Sequence, residues 1–364
     1  MLMLRNIQID FLRFLAITLV IMLHSGGFTN SNIINQIYNT IARGGWIGVD
    51  LFFVLSGFLI TSLVLNEYKA SGKFDVKKFL IRRGIKIYPL FYFFLVFQFC
   101  YSAYLGKPQS SINLLYEATF IANYTALNNL FLWSICVEEH FYLIICMFAY
   151  FFQTHKAFHP KIILKIYVFT LLLGFCIRMF NYIEFQNYDF YRDYIPTHLR
   201  IHGLFAGAAL AYFNIYKPNA IAAVIDNRIL NSALLLLSVA FLLINFIWNL
   251  DEDIIVSTLC FTTNPICFAF ILVNLITMKN SWILSLLKPM AYIGKYSYSI
   301  YLFHIFFLSV KYPFIHNYGL MFVIIRFAGI FIGGIVISKL IEYPILKLRD
   351  RYIPSNAKLS LASS

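Results

Sequence analysis

The chain is 364 residues long, 60% hydrophobic and only 12% charged, with 39 Phe and a formal net charge of +13. That composition leaves too little polar surface to cover a water-soluble globule, so the fold class it predicts is an all-α integral membrane protein. The excess charge does not signal nucleic acid, because the Lys and Arg residues are spread over separate segments instead of forming one stripe.

Apolar runs near 11–28, 46–65, 88–105, 131–152, 162–181, 199–216, 230–248, 254–276, 291–310 and 319–341 each approach the ~20 residues a helix needs to cross a bilayer. They predict a bundle of about ten transmembrane helices. The first run lacks a small-residue cleavage site, so it reads as a retained helix and the mature protein is expected to begin near Met1. Lys69, Lys73, Lys77, Lys78, Arg82 and Arg83 share one connection. Lys156 and Lys161, then Lys217 and Arg228, then Lys279 and Lys288, and finally Lys347, Arg349 and Arg351 mark the later alternate ones. The intervening connections carry Arg43, Lys107, Glu117, Asp189, Arg192, Asp193, Asp251, Glu252 and Asp253 and are poor in positive charge. Both termini are therefore expected in the cytoplasm.

The expected organisation is a single transmembrane domain over 1–345 and a short cytoplasmic tail over 346–364, with no appended soluble domain. Cys100, Cys136, Cys146, Cys176, Cys260 and Cys267 lie in or beside apolar runs without CxxC spacing. They read as buried small hydrophobes, and no metal is expected. The outer connections 29–45 and 106–130 are polar, the second carrying Asn123, Asn128 and Asn129. They either meet a hydrophilic acceptor or are simply solvated.

Arg13 and His24 stand eleven residues apart inside the first run. Eleven steps make about three helical turns, so the two side chains share a face about 16 Å apart along the axis. Ionisable groups are costly at membrane depth, so the pair points to a polar cavity or pathway. In the fourth run, Glu138 and Glu139 of WSICVEEHFY lie at a depth comparable to His24 and are candidates to meet it. Trp133 and Tyr142 of that segment fit an aromatic belt or helix packing as well as catalysis. The ninth run, IGKYSYSIYLFH, places Ser297, Tyr301 and His304 on one face at i, i+4 and i+7. Arg326 shares a face of the tenth with Gly329 and Gly333, which permits close backbone contact. Arg82, Arg83 and Lys86 lead into the third run. Such a cluster suits an anionic headgroup or a ligand with several phosphates, or is an ordinary cytoplasmic basic cluster.

Seven segments in order, IDFLRFLAITLVIMLH, GGWIGVDLFFVLSGFLI, RRGIKIYP, WSICVEEHFY, PTHLRIHGLFAGAALA, IGKYSYSIYLFH and the terminal IEYP, resemble membrane-bound acyltransferase family 3. Members of that family O-acylate sugars and other hydroxylated acceptors. The resemblance implies that His24 is the essential histidine and Arg13 its partner on the same helix. It places Arg83 and Lys86 on an Arg-x-x-Arg motif associated with the acyl-CoA donor, with Lys86 departing from the second Arg. Glu138 matches the acidic residue of the tryptophan–serine motif. Asp50 and Ser56 match GVDLFFVLSGF, and Tyr298 and His304 match the late helix. His202 stands where many relatives have Asp.

The reaction implied is transfer of an acyl group, most simply acetyl, from cytoplasmic acyl-CoA to a hydroxyl of a cell-surface or secreted glycan at the outer side of a bacterial inner membrane. No tightly bound cofactor is expected, and acetyl-CoA serves as donor substrate. Arg82, Arg83 and Lys86, with Arg13 behind them, are expected to hold the CoA, and His24 to act as general base with Glu138 orienting it. Asp50, Ser56, Trp133, Ser297, Tyr298, Tyr301, His304 and Arg326 are expected to line the cavity or stabilise the oxyanion. Direct transfer and an acyl-histidine intermediate are alternatives at this level. The competing reading is a proton-coupled transporter of a solute, or a glycolipid flippase, built from the same intramembrane His, Arg and Glu.

Overall fold

The computed structural model describes residues 6–26, 33–154, 159–248, 255–310 and 320–354. Among the described residues every regular element is helical. In chain order the α-helices are α1 (Ile7–His24), α2 (Ile33–Arg43), α3 (Ile47–Ser71), α4 (Val76–Tyr104), α5 (Ser111–Ala118), α6 (Trp133–Thr154), α7 (Ile162–Phe185), α8 (Thr197–Tyr216), α9 (Pro218–Ile225), α10 (Arg228–Ile247), α11 (Phe261–Thr277), α12 (Ser281–Gly294), α13 (Ser297–Ser309), α14 (Leu320–Ile337) and α15 (Tyr343–Tyr352). Local chemistry sets several starts. The side chains of Asn6, Asn227 and Asn280 each accept a backbone N–H from the first turn of α1, α10 and α12, satisfying donors that have no partner inside the helix.

Among the described residues, eight helical stretches are long and apolar enough to cross a bilayer: 7–24, 33–71, 76–104, 130–151, 162–185, 228–247, 256–277 and 323–352. The chain is a multi-pass membrane protein. The two remaining runs of the expected ten take different forms. α8 has 20 residues but carries His198, Arg200 and His202 in its first turns, and α13 has 13 residues because α12 occupies the chain up to Gly294. The expected tail is partly folded, since α15 continues to Tyr352. The acidic run Asp251–Asp253 and Lys156 lie outside the described residues.

The helices form two compact units. The first comprises the described residues of Met1–Gly48, Lys77–Gln98 and Lys279–Ser364. Here α1 packs on α12 so closely that a Cβ at Gly294 would run into the Asp10 carbonyl. α13 meets α14 where Ser299 Oγ donates to the Gly334 carbonyl at 2.5 Å and Gly334 itself abuts Ile300. Close backbone approach and side-chain hydrogen bonds replace the hydrophobic driving force that lipid cannot supply.

The second unit comprises the described residues of Val49–Val76 and Phe99–Met278. Its axis is α8, most of which is buried. Gly57 of α3 lies on the Leu204 carbonyl and Gly207 of α8 on the Val54 carbonyl, a reciprocal small-residue crossing. α7 and α10, by contrast, turn Phe169, Phe180, Leu236 and Leu243 outward, as a lipid-facing surface requires.

The cysteines divide. Cys136, Cys146, Cys260 and Cys267 are buried as expected, whereas Cys100 and Cys176 lie on outward faces of α4 and α7. Lipid solvates a thiol there as readily as a protein core does.

Candidate active site

In the first unit, α1 delivers Arg13 and His24 from one continuous helix. Arg13 Nη1 donates to Asp10 Oδ1 at 2.8 Å, and the carboxylate is buried while the guanidinium stays partly accessible. Asp10, not among the residues expected at the site, thus fixes the rotamer of Arg13 from one turn earlier. Its signal was present, an acid at i−3 to the intramembrane arginine.

His24 occupies the last turn of α1, where its Nδ1 lies 2.9 Å from the Val20 carbonyl. The same Nδ1 is 3.2 Å from Nε2 of His304, and the two rings are 5.0 Å apart between centroids. His304 is completely buried, with its Nδ1 at 2.5 Å from the Tyr301 carbonyl. His24 keeps an exposed edge. Depth alone had made Glu138 the expected neighbour of His24; within its own unit the imidazole meets His304.

Arg326 of α14 spans the ends of both histidine-bearing helices. Its Nη2 donates to the Leu308 carbonyl at 2.8 Å and its Nη1 to the Ser25 carbonyl at 3.4 Å. Those carbonyls lie in the final turn of α13 and just past α1, where intrahelical donors have run out. Ser25 also contacts the Tyr38 hydroxyl of α2. Ser297 and Tyr301 are buried on α13, and Tyr298 Oη donates to the Ile87 carbonyl of α4 at 2.9 Å.

The basic cluster resolves into two roles. Arg82 pairs with Asp350 at 3.1 Å and donates to the Ile353 carbonyl, so it ties α4 to α15. Lys86 lies in the electrostatic reach of Arg83, Arg13 and Arg349, with Glu342 the nearby carboxylate. The Arg13 end of α1 is therefore a positively charged region about 16 Å from His24 along the helix axis.

In the second unit, Glu138 accepts from Tyr142 Oη at 2.5 Å, and Ser56 Oγ lies 2.6 Å from that same oxygen. The phenol has one proton and gives it to the carboxylate, so the Ser56 hydroxyl donates to Tyr142. Asp50 instead accepts from Arg200 Nη2 at 2.6 Å and from Asn264 Nδ2 at 3.2 Å. Arg200 is enclosed by aromatic rings, with its guanidinium 5.2 Å from Trp133, 4.7 Å from Tyr194 and 4.5 Å from Phe261. Trp133 is thus part of the wall around a buried cation. Arg200 and Arg178, both buried, were not singled out from sequence, although each interrupts an apolar run. His202 directs Nε2 to the Phe261 carbonyl at 2.7 Å.

The connection 106–130, expected to be solvated or to meet an acceptor, is ordered by buried hydrogen bonds. Asn123 Nδ2 donates to Thr197 Oγ1 at 2.8 Å, and the backbone N–H of Asn129 donates to Glu117 Oε1 at 2.6 Å. Glu117 is fully buried beneath them, and burial pushes its carboxyl up to about 7 against the opposing effect of those hydrogen bonds.

Apolar helices that hold an imidazole pair and, about three turns along the same first helix, a cationic region, together with an arginine–aspartate pair in an aromatic enclosure, define a membrane protein built around intramembrane polar chemistry. The chain belongs to acyltransferase family 3: the family model described as an acyltransferase domain matches residues 6–343. It is 29% identical over 368 residues to the peptidoglycan O-acetyltransferase OatA of Listeria monocytogenes, covering 93% of this chain and 56% of that protein. It is 30% identical over 284 residues to the O-acetyltransferase OatA of Staphylococcus aureus, covering 72% of this chain and 45% of that protein. The chain spans about half the length of these relatives. No solved structure matches it.

Proposed function

We propose that this protein is an O-acetyltransferase that moves an acetyl group from cytoplasmic acyl-CoA to a hydroxyl of a cell-wall or other surface glycan at the outer side of the bacterial inner membrane. Family membership over 6–343 and relatives named as O-acetyltransferases support the class of reaction. The observation that carries the catalytic assignment is at His24: Nδ1 is engaged by Val20 and His304, while Nε2 has no hydrogen-bond partner among the described residues and the residue is exposed.

A sugar hydroxyl is a weak nucleophile at neutral pH, so a base must take its proton as the oxygen attacks the thioester carbonyl. His24 Nε2 accepts that proton, the tetrahedral intermediate collapses with cleavage of the carbon–sulfur bond, and the departing thiolate recovers the proton from the imidazolium. Arg83 and Arg13 supply positive charge for the CoA phosphates beside Lys86, with Arg13 aligned by Asp10. Arg82 contributes by fixing α15 against α4. Donor entry at the Arg13 end and hydroxyl activation at the His24 end make the first helix the axis of a through-membrane site, with both termini cytoplasmic.

The test uses membrane vesicles containing the protein, acetyl-labelled CoA and cell-wall glycan. Label appearing as base-labile ester on the glycan supports the reading. Movement of unmodified solute or glycolipid without ester formation establishes the transporter alternative instead.

A further inference from the structure

The two rings are joined through atoms whose proton occupancy the surrounding carbonyls decide. A backbone carbonyl can only accept, so the 2.5 Å contact between His304 Nδ1 and the Tyr301 oxygen requires a proton on that nitrogen. The 2.9 Å contact between His24 Nδ1 and the Val20 oxygen requires one there too. In neutral His304 the bare lone pair is then on Nε2, the atom lying 3.2 Å from His24 Nδ1. The opposite tautomers would set a nitrogen lone pair against a carbonyl lone pair at two places. Complete burial of His304 adds that it is not a cation, because an imidazolium there would be a buried charge with its partner's lone pair turned away.

We infer that His304 is a positioning residue: its Nε2 accepts, together with the Val20 carbonyl, the Nδ1 proton of His24, and so locks His24 in the tautomer whose Nε2 is the free base. This rests on the reading of His24 as general base. The arrangement performs with an imidazole what a buried carboxylate performs in a hydrolase triad, fixing tautomer and ring orientation. When Nε2 takes the hydroxyl proton, the new positive charge on His24 is shared toward two acceptors already in place at Nδ1. No proton passes to His304, whose Nδ1 remains bonded to Tyr301. Arg326 supports the geometry from the next layer by joining the C-terminal ends of α1 and α13, the helices on which the two rings ride.

Two measurements test this. In protein carrying nitrogen-15 histidine, reconstituted in nanodiscs at neutral pH, the His24 resonances, assigned by their loss in His24→Gln, should show a protonated Nδ1 and a bare Nε2. A protonated Nε2 in the wild-type protein would overturn the proposal, whatever any variant does. For turnover, His304→Leu, which removes the acceptor, should lower kcat for acetyl transfer by ~10–100-fold with KM for either substrate changed little. His304→Gln, whose side-chain carbonyl can accept from Nδ1, should recover most of that loss. A wild-type kcat in His304→Leu, or equal loss in both variants with the His24 tautomer unchanged, would contradict it. Failure of the parent reading has a separate signature: His24→Ala that still transfers acetyl at the wild-type rate removes the base, whereas the tautomer measured in the unmodified protein bears on His304 alone.

Discussion

Arg200 and Asp50, 150 residues apart in the chain, form an ion pair of 2.6 Å in which both side chains are almost wholly inaccessible. A guanidinium cannot shed its charge to escape burial, so its stability there depends on the carboxylate and on the rings of Trp133, Tyr194 and Phe261. Asp50→Ala should therefore destabilise the second unit by about 3–5 kcal/mol, the usual consequence of stranding one member of a buried pair. Thermal unfolding in detergent, followed by the monodisperse fraction, reads the loss. Arg200→Lys should also lower the unfolding temperature relative to wild type, because an ammonium lacks the planar fork and stacks poorly on these rings.

Gly294 marks a close approach of α12 to α1, with the Asp10 carbonyl occupying the space a side chain would need. Gly294→Ala should cost about 1–3 kcal/mol through displaced backbone. Because Asp10 also aligns Arg13, the same substitution should raise KM for acyl-CoA. Unfolding temperature and donor-dependence of turnover check the two effects separately.

Much of this was legible in the sequence, for reasons that differ by residue. Helical class and nearly every span follow from long apolar runs, which in lipid can satisfy their backbone only as helices. Arg13 and His24 were legible because a charge inside such a run is rarely idle. Arg200 and Arg178 obey the same rule, since each interrupts an apolar run. The link between His24 and His304 could not be read, because helix periodicity gives the face a residue occupies and its depth, but not which other helix lies opposite. Depth favoured Glu138, which within its own unit is bonded to Tyr142. The Asn-rich connection looked solvated because Asn usually is; its burial follows from Glu117 lying beneath it, a contact of twelve residues' separation that no local pattern announces.

Glu117 gives that connection a pH dependence. Its carboxyl is raised from an ordinary 4.5 to about 7, mainly by burial, so the folded protein retains a proton that the unfolded chain has lost. The contribution to stability is full below the unfolded value and disappears as pH rises through the folded one. Segment 106–130 should accordingly be more protected from hydrogen exchange at pH 5 than at pH 8, after correction for intrinsic rates. Glu117→Gln, neutral throughout, should flatten the difference.

Arg83→Ala should raise KM for acyl-CoA more than it lowers kcat, the pattern of a group that binds the donor before and during reaction alike. Arg82→Ala should differ: with its ties to Asp350 and Ile353 gone, α15 loosens, and loss of protein stability should precede any donor effect. Steady-state kinetics beside thermal unfolding separates the two arginines.

The central claim, that His24 is the base for O-acetyl transfer, is tested most directly by mass analysis of surface glycan from cells carrying wild-type protein, His24→Ala, or no protein. With His24→Ala present in the membrane at wild-type abundance, the account predicts glycan ester at the level of cells lacking the protein. Ester at the wild-type level in that variant would contradict it.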